Sequence, residues 1–383
     1  MSDDDQVPNC PGLSKKWVLN LLKESFHAGS PPEITQAKRL DEGVGFLSQI
    51  VSLSITWQPS SGIHEAPSSV VLKIPTTEKL QASTKSMTEA DASQMVRDFR
   101  AMLLEAHNHE CTAYEILGKS SEVPPVPLPK VYSFSKSTEN EFGYILMEDL
   151  RGRGRVPGFF EDISLAQVEA VFDAMADLQA FSLRDRSWMD KFNVFPESKS
   201  NTAKFLGTIA WCREHYPDEF HLSDAELAKI YDPEISKMTF YKPGDYYPVM
   251  AHGDLWAANI LFDGDQIAAI IDWQICRIGS CADDMSRFMS ISVPVELRRK
   301  HADALIERYY NRLKANLGSD IAVPFTIDEV RARYSKVLAV GAKLGLFHVP
   351  QWIKENSASA SDEEKRKMIR VMVACIEDAL SVM

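Results

Sequence analysis

Two short apolar runs, Ile260-Leu261-Phe262 and Ile267-Ala268-Ala269-Ile270-Ile271, flank Asp263-Gly264-Asp265-Gln266, and this arrangement restricts the chain's folding more than any other feature. Runs of this length around an Asp-Gly turn read as a β-hairpin. Asn259 enters the first strand and Asp272 leaves the second, so antiparallel pairing sets an amide and a carboxylate side by side although they are thirteen residues apart. Such an oxygen pair suits a hard cation like Mg²⁺, which keeps several waters and takes further ligands from substrate phosphates. Asp254, just ahead of the hairpin in His252-Gly253-Asp254-Leu255-Trp256-Ala257-Ala258-Asn259, is then a candidate base.

The charge balance narrows the partners. With 42 basic and 54 acidic residues the chain carries a formal charge of -12, which disfavours nucleic-acid backbones and anionic membranes, so a phosphate site must be locally basic or filled by metal. The length of 383 residues suits two or three domain-sized units. Cys10, Cys111, Cys212, Cys276, Cys281 and Cys375 show neither a CxxC pair nor zinc spacing, and Met1-Ser2-Asp3-Asp4-Asp5 does not read as a signal peptide. No apolar run approaches the roughly 20 residues that span a bilayer. The expectation is a cytoplasmic protein with no membrane insertion and no nucleic-acid partner.

His252-Gly253-Asp254, Asn259 and Ile271-Asp272-Trp273 together resemble the catalytic loop and metal motif of aminoglycoside phosphotransferases and choline kinases. With Leu255-Trp256, Asn259-Ile260 and Gln274, and with Asp284, Arg287 and Phe288 beyond, the chain is more similar still to ecdysteroid-kinase-like proteins of the choline-kinase-like (CHK) family. The resemblance covers residues 35–345 and implies an α+β, two-lobed protein-kinase-like fold with a small sheet-rich N-lobe and a larger helical C-lobe. The expected divisions are a helical extension at 1–34, a nucleotide-binding N-lobe at 35–150, and a helical C-lobe at 151–383 with the catalytic loop and substrate site. ATP and Mg²⁺ are the implied cofactors. Asp254 would accept the proton of a substrate hydroxyl, while Asn259 and Asp272 would hold the metal against the ATP phosphates.

The amino-terminal third supplies the remaining parts a kinase needs. Val51, Leu53, Ile55 and Trp57 alternate with Ser52, Ser54 and Thr56, the period of a half-buried strand, and Gly43-Val44-Gly45-Phe46-Leu47-Ser48 lies just before it. Gly43 and Gly45 are candidates to let backbone N–H groups approach phosphate, although Ser48 stands where the usual loop has a third glycine. Val70-Val71-Leu72-Lys73-Ile74 reads as the next strand, and its embedded Lys73 calls for an anionic partner. Phe99, Leu103, Ala106, Ala113 and Leu117 form one helical stripe in which Glu110 fills the missing slot, so Glu110 is the expected partner. His107 and His109 read as helix-surface residues. The segment from Thr76 to Arg97 reads as a loop with an irregular helix that could act as a flap. Two further strands, Lys130 to Phe134 and Phe142 to Met147, lead into Glu148-Asp149-Leu150, which resembles the family's hinge; adenine would bind there through backbone groups of Met147, Glu148 and Leu150.

Arg151-Gly152-Arg153-Gly154-Arg155 reads as a flexible linker into helical sequence, where Ser164 caps a run from Leu165 to Phe181. Later helices are expected at 301–317, 326–338 and 362–380, with a small-residue linker at 356–361. Leu178-Gln179-Ala180 departs from the family's Leu-His-Ala. Only eleven residues separate Asp272 from Asp284, too few for the activation segment with which protein kinases dock peptides, so a small hydroxyl-bearing molecule is the expected partner. Asp284 is expected to brace the catalytic loop. Trp256 stands where protein kinases place a lysine, leaving Arg277 and Arg287 as candidate cations for the transferred phosphoryl. Trp188, Trp211, Trp256 and Trp352 are candidates for an aromatic box around a quaternary ammonium. The acceptor is read as a sterol-like or choline-like alcohol; the alternatives are a choline or ethanolamine kinase proper and a nucleotide-binding pseudokinase or scaffold.

Overall fold

The computed structural model describes residues 6–40, 48–62, 66–77, 89–119, 124–158, 161–192, 202–238, 240–355 and 360–383. The candidate glycines Gly43 and Gly45, half of the expected flap and most of the 356–361 linker lie outside these residues. The chain divides into two compact units, one formed by Met1–Glu115 with Pro129–Gly152 and the other by Ile116–Leu128 with Arg153–Met383.

In the first unit, strands β1 (Gln6–Val7) and β2 (Cys10–Ser14) form a hairpin and run into helix α1 (Lys15–Ser25). Strands β3 (Glu33–Arg39), β4 (Ser48–Thr56) and β5 (Ser69–Pro75) come next, then helix α2 (Glu89–Lys119) and strands β6 (Val131–Ser135) and β7 (Tyr144–Glu148). They build a five-stranded antiparallel sheet in the order β3-β4-β5-β7-β6. The alternation read in β4 takes effect here, because Val51, Leu53 and Ile55 join Val70, Leu72 and Leu146 in one buried cluster. Val18, Leu21 and Leu22 of α1, with Val7, Cys10 and Leu13, complete it. Within the expected helical extension, the described residues 6–34 are a hairpin, one helix and the start of β3, fixed by side chains that belong to the sheet's own core.

The second unit is mainly helical: α3 (Leu165–Arg184), α4 (Thr202–His215), α5 (Asp224–Ile230), α6 (Pro233–Lys237), α7 (Asp283–Ile291), α8 (Val295–Leu317), α9 (Ile327–Glu355) and α10 (Asp362–Leu380). Two short pairs of antiparallel strands lie among them: β8 (Val249–Ala251) with β11 (Arg277–Gly279), and β9 (Ile260–Asp263) with β10 (Gln266–Ile270). Ser164 caps α3 in a reciprocal pair with Gln167, as its sequence position predicts, and Ser361 does the same for α10 with Glu364. Helix α9 runs through Pro350 to Glu355, well past the predicted end at 338.

Segment 151–155 is not a loose linker. Arg151 binds Asp149 and donates from Nη2 to Ser52 Oγ at 2.5 Å, Arg153 donates to the Ala268 carbonyl, and Arg155 forms an ion pair with Glu161. Backbone bonds between Arg155 and Phe262, at 2.9 and 2.8 Å, add it to the edge of β9. Gly154 is needed for that approach, since a Cβ there would lie 2.8 Å from the Ala268 side chain and 3.0 Å from the Phe262 carbonyl.

Candidate active site

The first unit holds the lysine and its partner. Register pairs Lys73 with Ile50 and Ile145, placing it opposite in facing to the buried Val70 and Leu72. Its Nζ donates to Glu110 Oε2 at 2.6 Å, and both residues are buried, at 6% and 1% exposure. The pair answers the problem seen in the sequence, because each charge would cost several kcal/mol if buried alone. The α2 stripe is buried as expected from Leu103 to Leu117. His107 and His109, however, are buried at 4% each, not on the surface. The chain after β6 packs along this part of α2: His107 Nε2 bonds the Ser135 carbonyl at 2.9 Å, and the Asn108 side chain exchanges hydrogen bonds with Ser137.

The expected hinge is partly committed to the sheet. Met147 lies in register between Val71 and Val131, and the Glu148 N–H donates to the Lys130 carbonyl at 2.8 Å. Leu150 lies beyond the ladder in a short 3₁₀ turn, Leu150–Gly152. The Glu148 N–H is thus engaged within the sheet.

In the second unit the hairpin forms as read. A two-residue turn, Gly264-Asp265, joins Asp263 to Gln266, and Gly264 supplies the positive φ of +58° such a turn needs at its first position. Ser164 Oγ and Gln167 Nε2 hold this turn from the start of α3 through Asp265 Oδ1 and the Gly264 carbonyl. At the other end, the Ile271 N–H bonds the Asn259 carbonyl at 3.0 Å, which brings the chain at Asn259 and at Asp272 together. Asn259 donates through Nδ2 to the Asp254 carbonyl at 2.9 Å and to Asp254 Oδ2 at 3.3 Å. That leaves Oδ1 as its acceptor oxygen; an amide oxygen and a carboxylate, as Asn259 and Asp272 offer, are hard donors of the kind that suits Mg²⁺. Asp272 adopts a left-handed backbone with φ +67°, a conformation that Asp tolerates better than most residues.

The loop bearing Asp254 is braced from below. Asp284, the second residue of α7, accepts from the His252 and Gly253 N–H groups at 2.8 and 2.9 Å, the structural role read for it. His252 accepts the Asp254 N–H on Nδ1 and donates from Nε2 to the Ile271 carbonyl at 3.0 Å, tying the loop to the hairpin exit. Gly253 has φ +88°, and a Cβ there would meet the Ile275 carbonyl at 2.3 Å. Arg287 donates from Nε and Nη2 to Asp254 Oδ1 at 2.9 and 2.8 Å. Burial pushes the Asp254 carboxyl upward, but the charge and hydrogen bonds of Arg287 outweigh it and hold the group below the usual carboxylate range. The side chain keeps 21% exposure, enough for a hydroxyl to reach it.

Arg277 lies 3.6 Å from Asp283, which is buried, bonded by Ser280 and also faces Arg333 at 3.7 Å. Asp283 is thus part of the packing beneath the loop, where burial raises its carboxyl's pKa. The four candidate tryptophans do not converge on one box. Trp188 is buried and donates to the Ser182 carbonyl, and Trp211 stacks on His215. Trp256 and Trp352 stack face to face at 4.6 Å with an interplanar angle of 1°, and His348 also stacks with Trp352. Sequence reasoning named Arg287 as part of the family pattern and as a possible phosphoryl cation; its link to Asp254 was readable from its place three residues after Asp284, one turn along the same helix face.

A five-stranded antiparallel sheet with a buried Lys–Glu pair, and a helical unit with a braced loop and hairpin, define the protein-kinase-like fold. Spectinomycin phosphotransferase APH(9)-Ia, solved with ADP and spectinomycin, is similar with a TM-score of 0.50 at 15% identity, covering 96% of this chain and 98% of that one. The chain belongs to the DUF1679 family, described as "Uncharacterized oxidoreductase dhs-27", whose profile matches residues 27–383. A Caenorhabditis elegans relative, "Uncharacterized kinase-like protein D1044.1", is 20% identical over 358 residues, 89% of this chain and 92% of the relative.

Proposed function

We propose that this protein transfers the γ-phosphoryl of ATP to a hydroxyl of a small metabolite. The observation that carries the reading is Asp254, an anionic, reachable carboxylate on a loop whose backbone Asp284 and His252 hold in place. Asp254 accepts the hydroxyl's proton as the new P–O bond forms and the bond to the ADP leaving group breaks. Lys73, fixed by Glu110, meets the ATP phosphates, and Gly43 and Gly45 supply backbone donors over them. Adenine rests against the hinge at Met147, with the Glu148 carbonyl and the Leu150 backbone as its polar contacts. Asn259 and Asp272 hold Mg²⁺, which when bound neutralises charge on the phosphates.

The relative's kinase-like name and the fold shared with a phosphotransferase support this reading over the oxidoreductase wording of the family description. Every strand pairing among the described residues is antiparallel, whereas the Rossmann sheet of many dinucleotide oxidoreductases is mostly parallel. The resemblance to ecdysteroid-kinase-like CHK proteins directs the choice of acceptor. The face-to-face stack of Trp256 and Trp352 takes up one face of each ring, which leaves less aromatic surface for a quaternary ammonium and favours an uncharged, sterol-like alcohol over choline. Six buried free thiols fit a reducing compartment, so a cytoplasmic location is part of the proposal.

The test is a panel of sterols, choline, ethanolamine and other hydroxylated metabolites with radiolabelled ATP and Mg²⁺. Asp254→Ala is expected to lower turnover by about 10² or more while leaving ATP affinity within a few-fold. Equal turnover in variant and wild type would sink the kinase reading and leave the nucleotide-binding scaffold in its place.

A further inference from the structure

We infer that Arg287 is a positioning residue for Asp254, fixing Oδ1 so that Oδ2 is the oxygen turned to the acceptor hydroxyl. Both donors that Arg287 directs at Asp254, Nε at 2.9 Å and Nη2 at 2.8 Å, end on the same oxygen. Among the described residues the other oxygen receives only the longer 3.3 Å contact from Asn259, so it remains able to accept a further hydrogen bond. A hydroxyl approaching this carboxylate therefore meets one oxygen with a fixed direction.

The guanidinium is buried and bonded through Nε and Nη2. Its side chain is 6% exposed. It rises from α7 one turn after Asp284, which secures the backbone of the same loop, so one helix sets both the loop and the carboxylate. Nη1 is buried with no hydrogen-bond partner among the described residues, and Arg287 lines a small cavity with Gly253, Arg277, Asp283 and Ser286. Above, the guanidinium lies 6.0 Å from the ring centre of Trp256, itself stacked on Trp352. An arginine enclosed in this way does not swing out to a phosphate, so it acts through Asp254. This also gives Trp256 a purpose at the position where protein kinases carry a lysine: its ring backs the cation that orients the base.

The kinetic consequence rests on the phosphotransferase reading; the structural coupling does not. A double-mutant cycle of Arg287→Gln and Asp254→Asn, followed by urea unfolding, reads the coupling without any turnover. Arg287→Gln is expected to lower the unfolding midpoint in the wild-type background and to leave it nearly unchanged beside Asp254→Asn. Equal midpoint losses in both backgrounds would overturn the inference even if the wild type is an active kinase. In turnover, Arg287→Gln is expected to lower kcat about 10²-fold with the KM for ATP within about threefold, and Arg287→Lys to recover at least about tenfold of that loss. A raised KM for ATP at unchanged kcat would assign Arg287 to the nucleotide phosphates and also overturn the inference. Wild-type protein that transfers no phosphoryl group to any acceptor would remove the proposed function while leaving the unfolding cycle decisive.

Discussion

His107 makes the first unit sensitive to acid. It is buried on α2, donates to the Ser135 carbonyl, and has its pKa lowered below 6.5 mainly by burial, with the carbonyl opposing and Lys73 adding to the shift. The unfolded chain takes up this proton near pH 6.5, while the folded chain does so only at the lower value. Its contribution is therefore complete above pH 6.5 and declines as pH falls from there toward the folded pKa. His107→Gln keeps a donor for Ser135 and does not titrate. Urea midpoints measured between about pH 7.5 and 5.5 are expected to fall less steeply in the variant than in the wild type. The same helix shows which residues a sequence reveals. Glu110 was legible because an acid on an apolar stripe needs a partner, and Lys73 is the one that waits in the preceding strand. His107 was not, because what buries it is the chain near Ser135, and no local period records that approach.

Among the elements, α7 has the most dependents, and its position relies on a glycine in α9. A Cβ on Gly341 would lie 2.0 Å from Ser290 Oγ and 2.9 Å from the Ser286 carbonyl. Gly341→Ala is expected to cost about 1–3 kcal/mol in denaturant unfolding. Because α7 carries Asp284 and Arg287, it should also lower turnover without touching substrate. Ser290→Gly, which removes the nearer obstacle, is expected to restore part of the stability. The hairpin and α10 were legible as elements because turn chemistry and capping are local. Segment 151–155 was misread as a linker because its partners, Phe262 and Ala268, lie more than a hundred residues further on. Helix α9 was cut short in the reading although Pro350 falls inside it, since the buried residues from Val337 to Ile353 continue past the predicted end.

For the molecule as a whole, the fold class followed from the family resemblance that the hairpin and its flanking loop carry. The course of residues 6–25 did not, because α1 takes its place through the sheet core rather than through its own sequence. The acidic balance of -12 means that phosphates must be met by local groups, and the proposed function assigns that task to Lys73 and to Mg²⁺ at Asn259 and Asp272. Mg²⁺ with ATP at a hundred times the dissociation constant is expected to stabilise the protein by about 2.7 kcal/mol, seen as a rise in melting temperature. EDTA should remove most of that rise. No rise at any nucleotide concentration would contradict the nucleotide site, whatever the acceptor.

The left-handed backbone at Asp272 also narrows the paths open to descendants of this gene. With φ at +67°, the position accepts Asp, Asn or Gly far more readily than other residues. A lineage that abandons the metal will therefore pass most readily through Asn or Gly, which leave the hairpin exit intact. Under the proposed function, such a copy would keep its shape after losing its chemistry, and the side chain at this one position would mark the loss.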